Sequence, residues 1–448
     1  MNTQALTDLA AFRAALYTAF ACRQDALFEL TDALLAAGPV GSLPSLSLQA
    51  SHRRGWGSLY DALAAGRLST ERVRRLVAAH PLSQEEPIYA VDLSVWGRSD
   101  AETSPERGFY YHPSRHSAGQ PIVAGWAYQW VAQLSFARAS WTAPADVQRL
   151  RPGQDVNTLA VEQIQRLLSQ RQPSRDIPLF VFDAGYDPIQ LALDLGELNK
   201  ESVALLVRLR RNRCFYLDPD PALAAATGHP RRHGHKFACR DAATWPEPSD
   251  EYVSEDPQYG QVRVRAWKGL HAVPQNHATK GARAPKLLIT GTVLLVEVSR
   301  LPQQTREPQL LWLWWRGPGF PDLAVVWRAY TRRFDLEHTF RFLKQTLNWT
   351  LPRLRHPEQA DRWTWLVVVA YTQLRLARTL VADLRLPWER RLEESRLTPC
   401  RVRRAFSSLV RALGTPAKPP KPCGRSPGRP KGRRSGRITR YPAVKTTT

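Results

Sequence analysis

Tyr330 to Lys344 reads Y-T-R-R-F-D-L-E-H-T-F-R-F-L-K, with Tyr330, Arg333, Glu337 and Lys344 at relative positions 0, 3, 7 and 14. At 3.6 residues per turn these spacings fall at roughly 0°, 300°, 340° and 320°, so a continuous helix would align the four side chains along one stripe. One carboxylate between two cations and a phenol suits a face that handles phosphate. Leu336, Phe340, Leu343 and Leu347 fall beside that stripe, which gives the same helix a side for the core.

Upstream, two apolar runs carry aspartates: I-Y-A-V-D-L-S-V-W with Asp92 and I-P-L-F-V-F-D-A-G-Y with Asp183. The pattern Y-x2-R-x3-E-x6-K resembles the YREK signature of DDE transposases of bacterial insertion sequences, in residue type and in spacing. That family implies two upstream aspartates, each ending an apolar strand, and Asp92 and Asp183 take those places. Asp183, Gly185 and Tyr186 also resemble the D-x-G-Y form around the second aspartate of the group. The resemblance runs from about residue 86 to about residue 350. It implies an α/β fold: an RNase H-like catalytic core, a mixed sheet flanked by helices, interrupted by a β-rich insertion.

Cutting a phosphodiester and joining the freed 3′-OH elsewhere needs an activated nucleophile and a stabilised leaving oxygen. Two divalent ions provide both, and hard Mg²⁺ or Mn²⁺ prefers carboxylate oxygen. The resemblance therefore implies Asp92, Asp183 and Glu337 as catalytic and metal-binding residues with two Mg²⁺, Mn²⁺ substituting. Tyr330, Arg333 and Lys344 are expected to meet DNA backbone, Arg333 as a bidentate fork and Lys344 as a point charge. The bland alternative for both cations is a solvated helix face. The expected partners are transposon-end and target DNA, with a homodimer working on paired ends. A catalytically silent, domesticated DNA-binding protein and a metal-dependent nuclease of the same core are the alternative functions.

Composition points the same way. The 448 residues carry a net charge of +23, which favours a polyanionic partner, and 15 tryptophans offer flat surfaces for base stacking. Five scattered cysteines (Cys22, Cys214, Cys239, Cys400, Cys423) make a poor disulfide framework and fit a reducing compartment. No apolar run approaches the roughly 18 residues of a spanning helix, and no secretion signal opens the chain. A cytoplasmic, nucleoid-associated bacterial protein without membrane contact is expected.

Along the chain, residues 1–82 read as a helical N-terminal region: helical periodicity over 5–37, then short helices near 57–66 and 69–80. Preceded by His52-Arg53-Arg54, the short pair suits either a DNA-binding element or a cap on the catalytic domain. Core residues 86–211 show apolar runs at 88–96, 121–136, 178–183 and 203–208 and a helix near 155–170. Residues 212–309 read as the insertion, with strands at 261–267 and 286–298. The core resumes over 310–390 with a strand at 310–315 and a second long helix at 358–384 ended with help from Pro387. A C-terminal helix is placed in 391–413. Residues 414–448 hold ten Lys/Arg and no acid, and are expected to be disordered.

Three weaker signals remain. The resemblance implies a tryptophan of the insertion holding a flipped base, for which Trp245 and Trp267 are candidates against an ordinary core role. His229, His233, His235, Cys214 and Cys239 invite a zinc reading, although interleaved cations favour a basic loop. S-P-G-R-P-K-G-R-R at 426–434 resembles an AT-hook, with Arg429, Arg433 and Arg434 as DNA-binding candidates, against a generic basic tail.

Overall fold

The computed structural model describes residues 3–82, 87–112, 121–137, 139, 141–171, 176–219, 232–273, 288–302, 309–422, 431–432, 436 and 438–444. The N-terminal region comprises α1 (Thr3–Ala19), β1 (Phe20–Cys22), α2 (Gln24–Ala36), α3 (Trp56–Ala65), β2 (Arg67–Leu68) and α4 (Thr70–Ala78). The stretch of helical periodicity over 5–37 holds two helices: Phe20–Cys22 pairs with Arg67–Leu68, and Arg23 turns the chain at φ 56°. Ser69 caps α4 by accepting from Arg72 N–H.

The core follows as β3 (Ile88–Gly97), β4 (Gly108–Tyr111), β5 (Ile122–Gln133), β6 (Ala143–Leu150), α5 (Val156–Gln170), β7 (Leu179–Phe182), α6 (Pro188–Leu195), α7 (Leu198–Glu201) and β8 (Ala204–Arg208). Asp155 caps α5, its carboxylate 2.9 Å from Thr158 N. Strands β3, β7 and β8 are parallel neighbours, and β5 runs antiparallel beside β3. Gly125 permits the close passage of β5 past β3, since a Cβ there would lie 2.3 Å from the Trp96 carbonyl oxygen.

The insertion supplies β9 (Cys214–Tyr216), β10 (Lys236–Ala238), β11 (Asp250–Asp256), β12 (Gly260–His271) and β13 (Thr290–Val298), and β14 (Leu311–Arg316) returns to the core. These strands extend the sheet in the order β10-β9-β12-β13-β14-β8-β7-β3-β5-β4, with β11 on β12 and β6 on β5. The result is a large mixed sheet flanked by helices, consistent with an RNase H-like core.

The chain ends with α8 (Leu323–Arg332), α9 (Phe334–Gln345), α10 (Pro357–Leu376) and α11 (Pro399–Leu413). Helix α10 stops well before Pro387, so the proline does not end it. The predicted apolar side of α9 is correct: Leu336, Phe340, Leu343 and Leu347 are buried, each stabilising the fold by about 1.5–3 kcal/mol. They share one sheet face with the N-terminal helices, α8, α10 and α11, while α5 and α6 cover the other.

Burial overturns the reading of the tryptophans as a base-stacking surface, since only Trp56 and Trp388 are largely exposed. Trp96, Trp126, Trp130 and Trp349 fill the core beneath α9 with ring centroids 5.1 to 6.3 Å apart. Residues of the N-terminal helices share a core cluster with α8, α9, α10 and α11. Arg53 pairs with Glu29 at 2.7 Å and Arg54 with Glu29 as well, and His52 is buried, while Arg53 stays exposed. No helix among the described residues is long and apolar enough to cross a membrane.

Two stretches of the C-terminal segment, expected to be disordered, dock on the rest of the chain. Arg13, Arg53 and Arg54 hold the carbonyls of Gly414, Ala417 and Lys418, and Ala417 is buried. Further on, Tyr441 N–H donates to Glu102 O at 2.8 Å, Val444 N–H to Arg107 O at 2.7 Å, and Val444 bridges to Gly108. The AT-hook candidates Arg429, Arg433 and Arg434 lie outside the described residues.

Candidate active site

Strand register assembles the site. β3 and β7 pair in parallel up to Val91 with Phe182, so the next residues, Asp92 and Asp183, stand abreast. β7 and β8 pair up to Phe182 with Val207, so Arg208 extends the row. Ala90, Val181 and Leu206 lie in the core cluster shared with α8 and α9, and alternation by two turns all three charged side chains to that same face. Asp92 does not end its strand as expected. It is the fifth residue of a ten-residue strand that continues past the end of β7.

The Y-R-E-K run is not one helix. α8 ends at Arg332 and α9 begins at Phe334, with Arg333 at the joint, where the bonds Arg333 N to Tyr330 O (3.1 Å) and Leu336 N to Arg333 O (3.0 Å) span three residues instead of four. The tightening lets the Arg333 fork turn inward. Its Nη1 donates to Asp92 Oδ2 at 2.9 Å and its Nη2 to Glu337 Oε1 at 3.1 Å, with 3% of the side chain exposed. This corrects the reading of Arg333 as an outward phosphate fork: it binds two of the candidate acids.

Tyr330 needs a similar correction. It is buried, and burial raises its hydroxyl pKa against the opposing pull of Arg333 and Arg208, so it is packing beneath the site and not surface for DNA. Lys344, in the last turn of α9, is half-buried with its ammonium 5.9 Å from the Trp349 ring centroid. Glu337 keeps half of its side chain exposed.

Burial pushes the Asp92 carboxyl up to about 6, against the pull of Arg333 and with Asp183 and Glu337 adding to the rise. On Arg333 the cost of burial is outweighed by Asp92, Tyr330, Asp183 and Glu337, which together hold it charged. Asp183 is 40% exposed, yet its Oδ1 is buried without a hydrogen-bond partner and lies 3.6 Å from Arg208 Nη1. Tyr186, of the D-x-G-Y run, is buried beside the acids, its hydroxyl 3.2 Å from the Gln129 side-chain amide.

Two aspartates abreast, one with an orphaned oxygen, fit a hard divalent cation. Among the described residues no three His, Cys, Asp or Glu side chains close a metal cage. Arg333 stands between Asp92 and Glu337 and pairs with both. In the insertion, His233 Nδ1 meets His271 Nε2 at 2.9 Å and His235 meets Thr244 O, while His229 lies outside the described residues. The described histidines among the zinc candidates are thus hydrogen-bonded elsewhere, while Cys214 begins β9 and Cys239 is buried just after β10.

Of the flipped-base candidates, Trp267 is core and Trp245 is half-buried against it. Trp267 is buried and donates to Pro246 O at 2.8 Å. Trp245 donates to Ala238 O at 2.9 Å and packs edge-on to Trp312. Arg208 went unread in the sequence, although its signal was present as a cation closing the apolar run at 203–208.

Residues 15–273 match the DDE superfamily endonucleases, and this covers well over half of the chain. The chain belongs to that family, whose members act on DNA and generally depend on divalent metal. The matched range contains Asp92 and Asp183 and ends before α8 and α9. No curated protein matches the chain at a significant level.

Proposed function

We propose that the protein is a DNA transposase of the YREK-signature group. It would cleave phosphodiesters at the ends of an insertion sequence and transfer the 3′-OH ends to target DNA as a dimer on paired ends. The observation that carries this reading is the placement of Asp92 and Asp183 abreast on parallel strands, facing the helix that bears Glu337. Asp92 and Asp183 would hold Mg²⁺, with Glu337 as the third carboxylate. The bound ions would supply a more basic attacking oxygen and a stabilised leaving oxygen.

The chain's own residues do the positioning. Arg333 fixes the orientation of Asp92 and Glu337 and offsets the repulsion among three clustered acids. Lys344 adds positive charge further along α9 for the DNA backbone. Buried Tyr330 and Phe340 anchor the two helices under the row.

The test is a plasmid carrying the coding sequence with its native flanking DNA, incubated with the full chain and Mg²⁺. Cleavage at inverted repeats with joined products supports transposition. Cleavage without joining would leave a nuclease. Loss of both in Asp183→Asn ties the chemistry to this row, and an active Asp183→Asn protein would overturn the assignment.

A further inference from the structure

The acid row contains a guanidinium that the sequence motif does not include. Arg208 stands beside Asp183 at the end of β8, on the face where α8 and α9 lie, with 46% of its side chain exposed. Its Nη1 is 3.6 Å from Asp183 Oδ1, close enough for attraction and too far for a hydrogen bond. Among the described residues no hydrogen bond engages its fork.

Arg333 is the opposite case. Both of its terminal nitrogens are committed to Asp92 and Glu337, and it is almost wholly buried. Reaching a phosphate would require breaking both pairs. The chain after Arg208 continues the contrast: Leu209 is buried, Arg210 and Arg211 are exposed, and residues 202–217 hold four arginines and no acid. Arg213 alone of the four is tied down through a hydrogen bond, to Asp187 at 3.3 Å.

We infer that Arg208, backed by Arg210 and Arg211, is the phosphate fork of this site and takes the DNA backbone on the Asp183 side of the row, across from α9. The inference rests on the endonuclease reading of the row. A guanidinium offers two parallel donors to a phosphate, and the loose pair with Asp183 orients Arg208 while leaving it available, since a half-exposed pair is weak.

The test is binding of a fluorescein-labelled duplex of about 30 base pairs and arbitrary sequence by the full chain in EDTA, titrated over a range of salt. Arg208→Ala is expected to lower the log-log salt slope by about 0.9 and to weaken binding roughly tenfold at moderate salt. Arg208→Lys is expected to keep the slope. Arg72→Ala removes the same charge from an exposed position on α4 and is expected to leave both quantities as they are. Arg208→Ala behaving like Arg72→Ala, with an unchanged melting temperature, overturns the inference. Adding Mg²⁺ to the unsubstituted protein on its flanking DNA is scored separately: absence of cleavage there counts against the endonuclease reading, while the slope alone decides Arg208.

Discussion

Two of the clusters that pair arginine with carboxylate, one on β6 and one in the acid row, differ in how the charge closes. On β6, Asp146 is 2% exposed and receives Arg74 on one oxygen at 2.7 Å and Arg166 on the other at 2.9 Å, while Glu71 takes a second nitrogen of Arg74. With Arg75 3.7 Å from Glu71, three cations meet two anions, and both oxygens of the buried acid are satisfied. In the acid row, three carboxylates face Arg333 and Arg208, one buried oxygen of Asp183 has no hydrogen bond, and burial pushes Asp92 up to about 6. An ion pair alone therefore marks nothing. Surplus negative charge around an orphaned oxygen marks a place for a cation.

The largest expected effect separates the clusters by activity. Asp183→Asn should reduce cleavage at least about a thousandfold, roughly 4 kcal/mol in the barrier, and leave the melting temperature close to that of the unsubstituted protein. Asp146→Ala should do the reverse. Stranding Arg74 and Arg166 should cost about 3–5 kcal/mol in a denaturant titration, with cleavage retained at temperatures where the variant is folded. Equal melting temperatures for Asp146→Ala and the unsubstituted protein would break the comparison.

What was legible follows from what one segment can encode. The strands carrying Asp92 and Asp183 showed as apolar runs, and the core side of α9 showed in the spacing of Leu336, Phe340, Leu343 and Leu347. The break at Arg333 did not show, because its partner Asp92 is 241 positions away in sequence. Strand β6 was missed for the same reason. A-P-A-D-V-Q-R-L has a proline and two charges, and Asp146 and Arg149 are buried only because Arg74, Arg166 and Asp361 come to meet them. The docking of Tyr441 and Val444 depends on Glu102 and Arg107, far earlier in the chain. Arg208 was visible as a residue, but its place in the row is a matter of register between strands.

A smaller effect tests the inward turn of Arg333. Arg333→Ala removes two charge-assisted hydrogen bonds and should cost about 2 kcal/mol of stability at neutral pH. Its pH dependence has a definite sign. Asp92 has a folded pKa of about 6 against an ordinary 3.8, so its contribution is fully present below about 3.8 and is lost as pH rises through 6. Without Arg333 the charged form is held still less well, and the deficit of the variant should be smaller near pH 5 than near pH 8. A deficit independent of pH over that range would mean that Arg333 does not hold Asp92.

The smallest effect comes from a third cluster, half-buried and more open to water than Asp146. Arg404 donates to both oxygens of Glu389 at 2.5 and 2.8 Å, and Leu386 N–H donates to the same carboxylate at 2.8 Å. The Arg404 hydrogen bond leads in holding the Glu389 pKa down to about 2 from an ordinary 4.5, and the Leu386 N–H follows. A depressed carboxylate contributes above its unfolded pKa and loses that contribution as pH falls through its folded one. The melting-temperature gap between unsubstituted protein and Glu389→Gln should therefore be steady at neutral pH and shrink between about 4.5 and about 2. Because water screens this pair, the gap should also narrow in high salt, whereas that of Asp146→Ala should persist. If salt erased both gaps alike, Asp146 would be as accessible to solvent as Glu389, and the distinction between a closed cluster and an open one would have to be drawn elsewhere.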